Sequence, residues 1–527
     1  MIMTKYFIFF LLGGLIIRGA ISYIRVCYFT NWAQFVPTYR FLPNRIPTQL
    51  CTHVVFAYAD IRATNVTPTE FNDVEMYGRL NRLKRDRPTL RTLLALGGWA
   101  AGGEKFSRLV ASETSMTTFS DNLIAYLRRN NFDGVNIDWQ YPTSRERGSE
   151  PGDRLRFTNF LQILKRGFEQ EALTTGRNRL TLSASLESDL SDARTYYQID
   201  EIGKVLDFAT LMAYDMHGDW DRTTGALHHC PLEPEIRGFV QGWIQDGFPA
   251  NKLVLAVPAF GRSFTLTSQP VGSGIGQAVS GGGTAGAMSN ESGLLDYGEI
   301  CSNIARDGWT RIWLTDRAAP VAYGNTSEGW QWVGYDDPQS LVGKAAFIRS
   351  QGLAGVALWS LEHDDFSNLC QNGTWPLLRT LARELPVNSS QTSTATPRLR
   401  QPQTTTPRGA LTTSAPADRG GTAQPTRTTL TTTVTYSNVT RYPEVKVSHG
   451  NDSSDDTGQQ CKISENIGAA LTCPTTRGKP GERNMFYLFC FTGFFAIECR
   501  CLPGHFFSRC LQTCDVNDNF KKCPLLN

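Results

Sequence analysis

From about Ser22 to Leu385 the chain alternates short β-rich runs with amphipathic stretches. The runs are YIRVCYF, HVVFAYADI, TLLALGG, GVNIDW, LTLSASL, FATLMAYD, LVLAVPAF and GVALWSL. Between several of them lie segments such as FSDNLIAYLRRN and LRFTNFLQILKRGFEQEAL, whose apolar residues recur three and four apart, the period of a helix with one buried face. Eight strands in alternation with helices predict an α/β fold of the (β/α)8 TIM-barrel type over residues 23–385. The spacing breaks once, between LAVPAF and GVALWSL, in a long stretch rich in glycine and aromatic residues. An inserted small α+β lobe is expected there, at about residues 264–340.

The pattern then stops. Residues 386–460 are dominated by Thr, Ser, Pro and Arg, with almost no apolar periodicity, and cannot bury enough surface to fold. They read as a disordered, glycosylated linker, and Asn388, Asn438 and Asn451 begin N-glycosylation sequons within it; Asn65, Asn290, Asn325 and Asn372 do so in the barrel. In residues 461–527 eight cysteines (Cys461, Cys473, Cys490, Cys499, Cys501, Cys510, Cys514, Cys523) crowd together, as in a small disulfide-rich β module whose core needs staples. The apolar run Met485 to Ile497, interrupted by Cys490 and closed by Glu498, is too short for a membrane span.

At the other end, Lys5, the apolar run Tyr6 to Ile17 and the small residues Ala20 and Ser22 form the pattern of a signal peptide over residues 1–22, which makes the protein secreted and extracellular. Secretion in turn makes the thirteen cysteines interpretable mostly as disulfides. The odd number leaves one thiol over; Cys230 is the expected one, with intermolecular pairing as the rival. Lys plus Arg total 52 against 49 Asp plus Glu, a net charge of +3, which provides no electrostatic reason to expect nucleic acid as a partner. A ligand without net charge fits better.

The stretch FDGVNIDWQYP carries the chemistry. Strand alternation sends Val135, Ile137 and Trp139 to one face and Asn136, Asp138 and Gln140 to the other. An inward polar row at the C-terminal end of a barrel strand points at the mouth where active sites of this fold lie. Carboxylates stacked two residues apart raise one another's pKa, because like charges a few ångströms apart cannot all ionise, and in a sugar-cleaving site the last of such a row is the proton donor. Here the last is Gln140, whose amide has no proton to give up near neutral pH.

FDGVNIDWQYP resembles the D-x-x-D-x-D-x-E motif of family 18 glycoside hydrolases, the chitinases. CYFTNW, ALGGW, LMAYDMHGDW, PAFGRSFTL, WVGYDD and GVALWSLEHDDF stand in that family's order. The resemblance implies the (β/α)8 fold, the inserted lobe, and Cys27–Cys51 and Cys301–Cys370 bridges. It also implies substrate-assisted hydrolysis, in which the sugar's own 2-acetamido oxygen attacks the anomeric carbon. Asp138 would then orient the acetamido group, Tyr214 would hydrogen-bond it with Asp215 nearby, and Gln140 would occupy the proton donor's place. Asn136 replaces a further aspartate and is expected still to hydrogen-bond Asp138. Phe260 stands where tyrosine is common. Glycan-contacting positions fall on Trp32, Glu70, Phe71, Gly97, Gly98, Trp99, Ala100, Tyr141, Met212, Ala213, Trp220, Arg262 and Trp359.

These residues lead to a secreted chitinase-like lectin that binds chitin or chito-oligosaccharides in a chitin-rich extracellular matrix, with hydrolysis lost or strongly reduced. Two alternatives stand: a residual chitinase in which Glu146 or Glu150 replaces the donor, and a matrix protein that binds no glycan. The tail resembles a divergent peritrophin-type chitin-binding domain, its tyrosine at Tyr487. No cofactor or metal is expected, since the adjacent His228, His229 and Cys230 cannot all converge on one ion and read as a loop.

Overall fold

The computed structural model describes residues 22–387 and, beyond them, the backbone of five short strands. The expected signal peptide, almost all of the linker and most of the cysteine-rich tail lie outside the described residues. Eight parallel strands close on themselves: β1 (Ile24–Thr30), β2 (His53–Arg62), β3 (Arg91–Gly97), β4 (Gly134–Asp138), β5 (Thr181–Glu187), β6 (Phe208–Met212), β7 (Leu253–Pro258) and β8 (Gly355–Trp359). Each pairs with its neighbours in chain order, and β1 pairs with both β2 and β8, so the sheet has no free barrel edge. Between the strands run helices such as Glu113–Arg129 and Asp153–Thr175. The fold is a (β/α)8 TIM barrel.

The hydrophobic alternation now has a physical destination on each side. Outward residues such as Val135, Ile137 and Trp139 join the large core between strands and helices. Inward residues such as Val26, Val55, Leu93, Ala95, Val254 and Ala357 fill the barrel. Trp139 is held by a stack on Phe106 at 5.2 Å, and its indole N–H donates to Ser149 Oγ at 3.0 Å.

The insertion is an antiparallel sheet built on Phe260–Leu266 with Gly329–Gly334, Ala319–Thr326 and Thr310–Leu314 to one side and Val279–Gly282 to the other; Leu294–Asp296 also pairs with the first strand. Helix Tyr297–Arg306 completes it. The sheet of the lobe runs from Phe260 to Gly334, and Phe260 pairs with Asp296 as soon as the chain leaves β7. The helix Pro338–Gln351 belongs to the barrel. It starts at an N-cap, Asp337, whose carboxylate accepts from the backbone N–H of Gln339 and Ser340 at 2.9 Å each, with proline at the first helical position.

Bridges Cys27–Cys51 and Cys301–Cys370 form, with Cα separations of 6.0 and 5.7 Å. Among the described residues Cys230 is the free cysteine, and it is buried. Behind it Lys344 forms an ion pair with Asp336 in which neither side chain is exposed. Lys344 also donates to the carbonyl of Cys230 at 2.8 Å, and Ser340 Oγ donates to Asp336 Oδ1 at 2.7 Å. Asn65, Asn290, Asn325 and Asn372 are all exposed.

The second unit, residues 398–527, contains a three-stranded antiparallel sheet of Gln460–Ser464, Phe495–Arg500 and Phe489–Thr492, in that order, and a separate pair, Phe506–Ser508 with Thr513–Asp515. No helix among the described residues is long and apolar enough to cross a membrane.

Candidate functional site

Parallel register brings the C-terminal ends of the strands to one rim. Gly97 of β3 lies opposite Asp138 of β4, Glu187 of β5 opposite Met212 of β6, and Trp359 of β8 opposite Pro258 of β7. At the centre Asp138 is almost completely buried. Gln140 Nε2 donates to Asp138 Oδ1 at 2.8 Å, and the Tyr58 hydroxyl donates to Asp138 Oδ2 at 2.8 Å. Burial pushes the Asp138 carboxyl up to about 6, against the opposing pull of those two donors. Met212 Sδ lies 3.8 Å from the Gln140 amide nitrogen.

Asn136 does not hold Asp138 as expected. Fully buried one layer below, it turns toward β5: its amide donates to Ser183 Oγ at 3.2 Å and its oxygen accepts from Ser185 Oγ at 2.9 Å. Tyr28 continues this network to Ser185 at 3.1 Å and Thr210 at 3.3 Å. The inward serines of LTLSASL offer partners at the right height, so the amide has no need of the carboxylate above it.

Asp215 takes the left-handed backbone conformation, φ 61°. Arg262 grips it with two nitrogens, Nε on Oδ1 at 2.8 Å and Nη2 on Oδ2 at 2.9 Å. Its backbone N–H donates to His229 Nδ1 at 3.3 Å. Burial alone would raise the Asp215 carboxyl, but the imidazole of His229 and the guanidinium of Arg262 more than offset it and hold the group well below the usual carboxylate range. His228, His229 and Cys230 are thus packed in the interior: His228 Nε2 sits 3.1 Å from the carbonyls of Pro320 and Tyr335, and His229 serves Asp215. Phe260 fills the space between Tyr214 at 5.9 Å, His229 at 5.2 Å and His363 at 5.7 Å.

Aromatic rings line the rim. Trp359 lies half-buried at the end of β8, 5.1 Å from Tyr28 and 5.9 Å from Tyr58, and Trp32 stacks on Tyr58 at 6.1 Å. Trp32, Trp99 and Trp220 are 43, 62 and 59% exposed, which excludes simple core packing for these three. Arg262 reaches over Trp220 at 5.1 Å, and Arg147 lies 3.8 Å from the ring centre of Trp99 while its Nε donates to the Gln140 carbonyl at 3.3 Å. Tyr141 stacks on Tyr196 at 5.0 Å. Phe71, on the turn that also carries Glu70, is exposed and lies 6.4 Å from Phe35, whose short helix carries Trp32. Ala100 is exposed beside Trp99.

The glycines before Trp99 are required by contact. At Gly97 (φ 106°) a Cβ would meet the Asp138 carbonyl oxygen at 2.2 Å, and at Gly98 (φ 82°) it would meet the Tyr58 ring at 2.6 Å. Ala213 is fully buried, its methyl group in the outer core. Tyr58 and Arg147 were not anticipated. Tyr58 sits in HVVFAYADI as one more aromatic among apolar neighbours, and its partner is 80 residues away.

The mouth of the (β/α)8 barrel thus holds an acid and an amide among exposed indoles. The chain belongs to glycosyl hydrolases family 18, whose family model matches residues 24–364. Chitotriosidase-1 of Mus musculus is 39% identical over 378 residues, covering 69% of this chain and 78% of that protein. Among solved structures, human YKL-39, described as a pseudo-chitinase with retained chitooligosaccharide-binding properties, is similar at TM-score 0.64 and 33% identity, covering 69% of this chain and 100% of that one. The immunomodulatory active chitinase of Trichuris suis is similar at TM-score 0.64 and 29% identity over the same shares.

Proposed function

We propose that this protein is a secreted chitinase-like lectin that binds chitin or chito-oligosaccharides in an extracellular matrix and does not cleave them at a chitinase rate. One observation carries the reading: Gln140 makes the hydrogen bond to Asp138 that a proton donor in this position would make, but offers an amide where an acid is needed. In the cleft an acetamido N–H donates to Asp138, Tyr214 hydrogen-bonds the acetamido group, and the half-buried Trp359 supports the apolar face of the sugar. The exposed indoles Trp32, Trp99 and Trp220 extend that support to neighbouring sugars. General acid catalysis contributes roughly 10²–10⁴-fold, and an alkoxide leaving group depends on it.

Three other acids near the row, Asp215, Glu146 and Glu150, do not replace the donor. Asp215 is bidentately paired with Arg262 and stays ionised. Glu146 and Glu150 are exposed on the loop beyond the strand end. The relatives supply both precedents, a pseudo-chitinase that retains oligosaccharide binding and an active chitinase, so activity must be decided on this cleft. In this reading the Thr/Ser/Pro-rich stalk tethers a second, peritrophin-like chitin-binding module, which adds affinity on a polymer through effective concentration.

The test is to incubate the purified protein with labelled chitotetraose and with insoluble chitin. Retention on both without cleavage is expected, and turnover at a chitinase rate overturns the lectin. Trp359→Ala is expected to weaken chitotetraose about tenfold, since it removes the ring beneath one sugar; isothermal titration measures it. Lack of retention on either ligand overturns glycan binding altogether.

A further inference from the structure

With Asn136 turned toward the serines of β5, the side-chain hydrogen bonds on Asp138 come from Gln140 on one oxygen and Tyr58 on the other. The Tyr58 ring is fixed on three sides. Trp32 stacks on it, Trp359 tilts against it, and Gly98 presents bare backbone to its face. The hydroxyl can therefore reach one place, Asp138 Oδ2.

We propose that Tyr58 is a positioning residue: its hydroxyl fixes the Asp138 carboxylate to receive the acetamido N–H of an N-acetylated sugar, and so sets how acidic a medium the binding tolerates. The inference rests on the lectin reading, in which Asp138 is the acceptor for that N–H. An ionised carboxylate has about four lone-pair sites, so the two protein donors leave room for a third. The ligand joins the arrangement without displacing it, and no reorientation precedes binding.

The surroundings make the hydroxyl count. The titratable groups that face Asp138 are Tyr28 from β1, Tyr58 from β2, Tyr141 just past β4, Tyr197 beyond β5 and Tyr214 just past β6. Each is a phenol whose ionisation burial pushes up, hence each is uncharged. No cation is among them, so the negative charge of Asp138 is supported by hydrogen bonds instead. Protonation converts an accepting oxygen into a donor and removes the bond to the acetamido N–H. Affinity therefore falls as pH drops through about 6. Removal of the Tyr58 hydroxyl takes away a bond that favours the ionised form, which moves that fall to higher pH.

Tyr58→Phe keeps the ring between its neighbours and deletes one oxygen. Chitotetraose affinity measured from acid to neutral pH is expected to be about tenfold weaker in the variant at neutral pH, with its midpoint of loss shifted up by about one pH unit. A uniform loss at every pH, with the midpoint unmoved, would be the mark of a merely structural role and overturns the proposal. The carboxyl titration of Asp138 followed by carbon NMR in the unliganded proteins provides a second reading independent of ligand. It is expected to move upward in Tyr58→Phe, and an unmoved titration overturns the proposal as well. Failure of the unaltered protein to bind chitotetraose at any pH would overturn the lectin reading, while the carboxyl titration still decides whether Tyr58 governs Asp138.

Discussion

Replacement of Gln140 by glutamate is expected to raise hydrolysis of a fluorogenic chito-oligosaccharide by roughly 10²–10⁴-fold over the unaltered protein. Glutamate matches glutamine in shape, so its carboxyl takes the 2.8 Å position on Asp138 Oδ1. Burial already pushes Asp138 up to about 6, and a second carboxyl group beside it raises the loss of the pair's last proton further. The pair then carries one proton at neutral pH, held between the two residues and available to the glycosidic oxygen. Asn136 does not stand in the way, because it is committed to Ser183 and Ser185 and does not share Asp138. Phe260, which packs among Tyr214, His229 and His363, leaves the acid pair untouched. A rate unchanged by Gln140→Glu would mean that the missing acid is not what limits this cleft.

Lys344→Met is expected to destabilise the barrel by about 3–5 kcal/mol, read as a lower denaturant midpoint at unchanged slope. The ammonium is wholly buried, with Asp336 as its counter-ion and the Cys230 carbonyl as a second acceptor. Removal of the cation leaves Asp336 charged in the interior with Ser340 Oγ as its short hydrogen bond and the Cys230 thiol at 3.7 Å. Most of the cost belongs to that stranded charge. The double variant Asp336→Ala with Lys344→Met is therefore expected to lose less than Lys344→Met alone. A loss below about 1 kcal/mol in the single variant would contradict the account, since it would mean the orphaned carboxylate is reached by water or neutralises cheaply.

The barrel was legible in the sequence because each strand is a short β-rich run and the intervening helices keep their three-and-four spacing. Asp138 and Gln140 were legible for a related reason: strand alternation dictates which residues share the inner face, whatever the partners across it. Partners themselves were not. Asn136 lies on the same face as Asp138, but one layer of side chains separates them, and the height of a layer is set by register with β5, a relation between residues 47 and 49 apart. Tyr58 was hidden for the opposite reason, since a strand aromatic among apolar neighbours is read as core until its hydroxyl is seen to reach a carboxylate. The His228–His229–Cys230 triplet lies in a loop as the sequence predicts, but its burial was not legible, because the partners of the two imidazoles, the Pro320 and Tyr335 carbonyls for His228 and the Asp215 backbone N–H for His229, stand elsewhere in the chain.

The contact between Gln140 and Asp138 has a consequence at the level of the gene. Glutamine and glutamate codons differ in their first nucleotide alone, and the two side chains ask the same shape and the same position of this cleft. A single transversion thus separates an amide from an acid at the centre of the site, and it can be crossed in either direction without an intermediate that must be tolerated. On the reading proposed above, binder and enzyme are neighbouring genotypes on this scaffold.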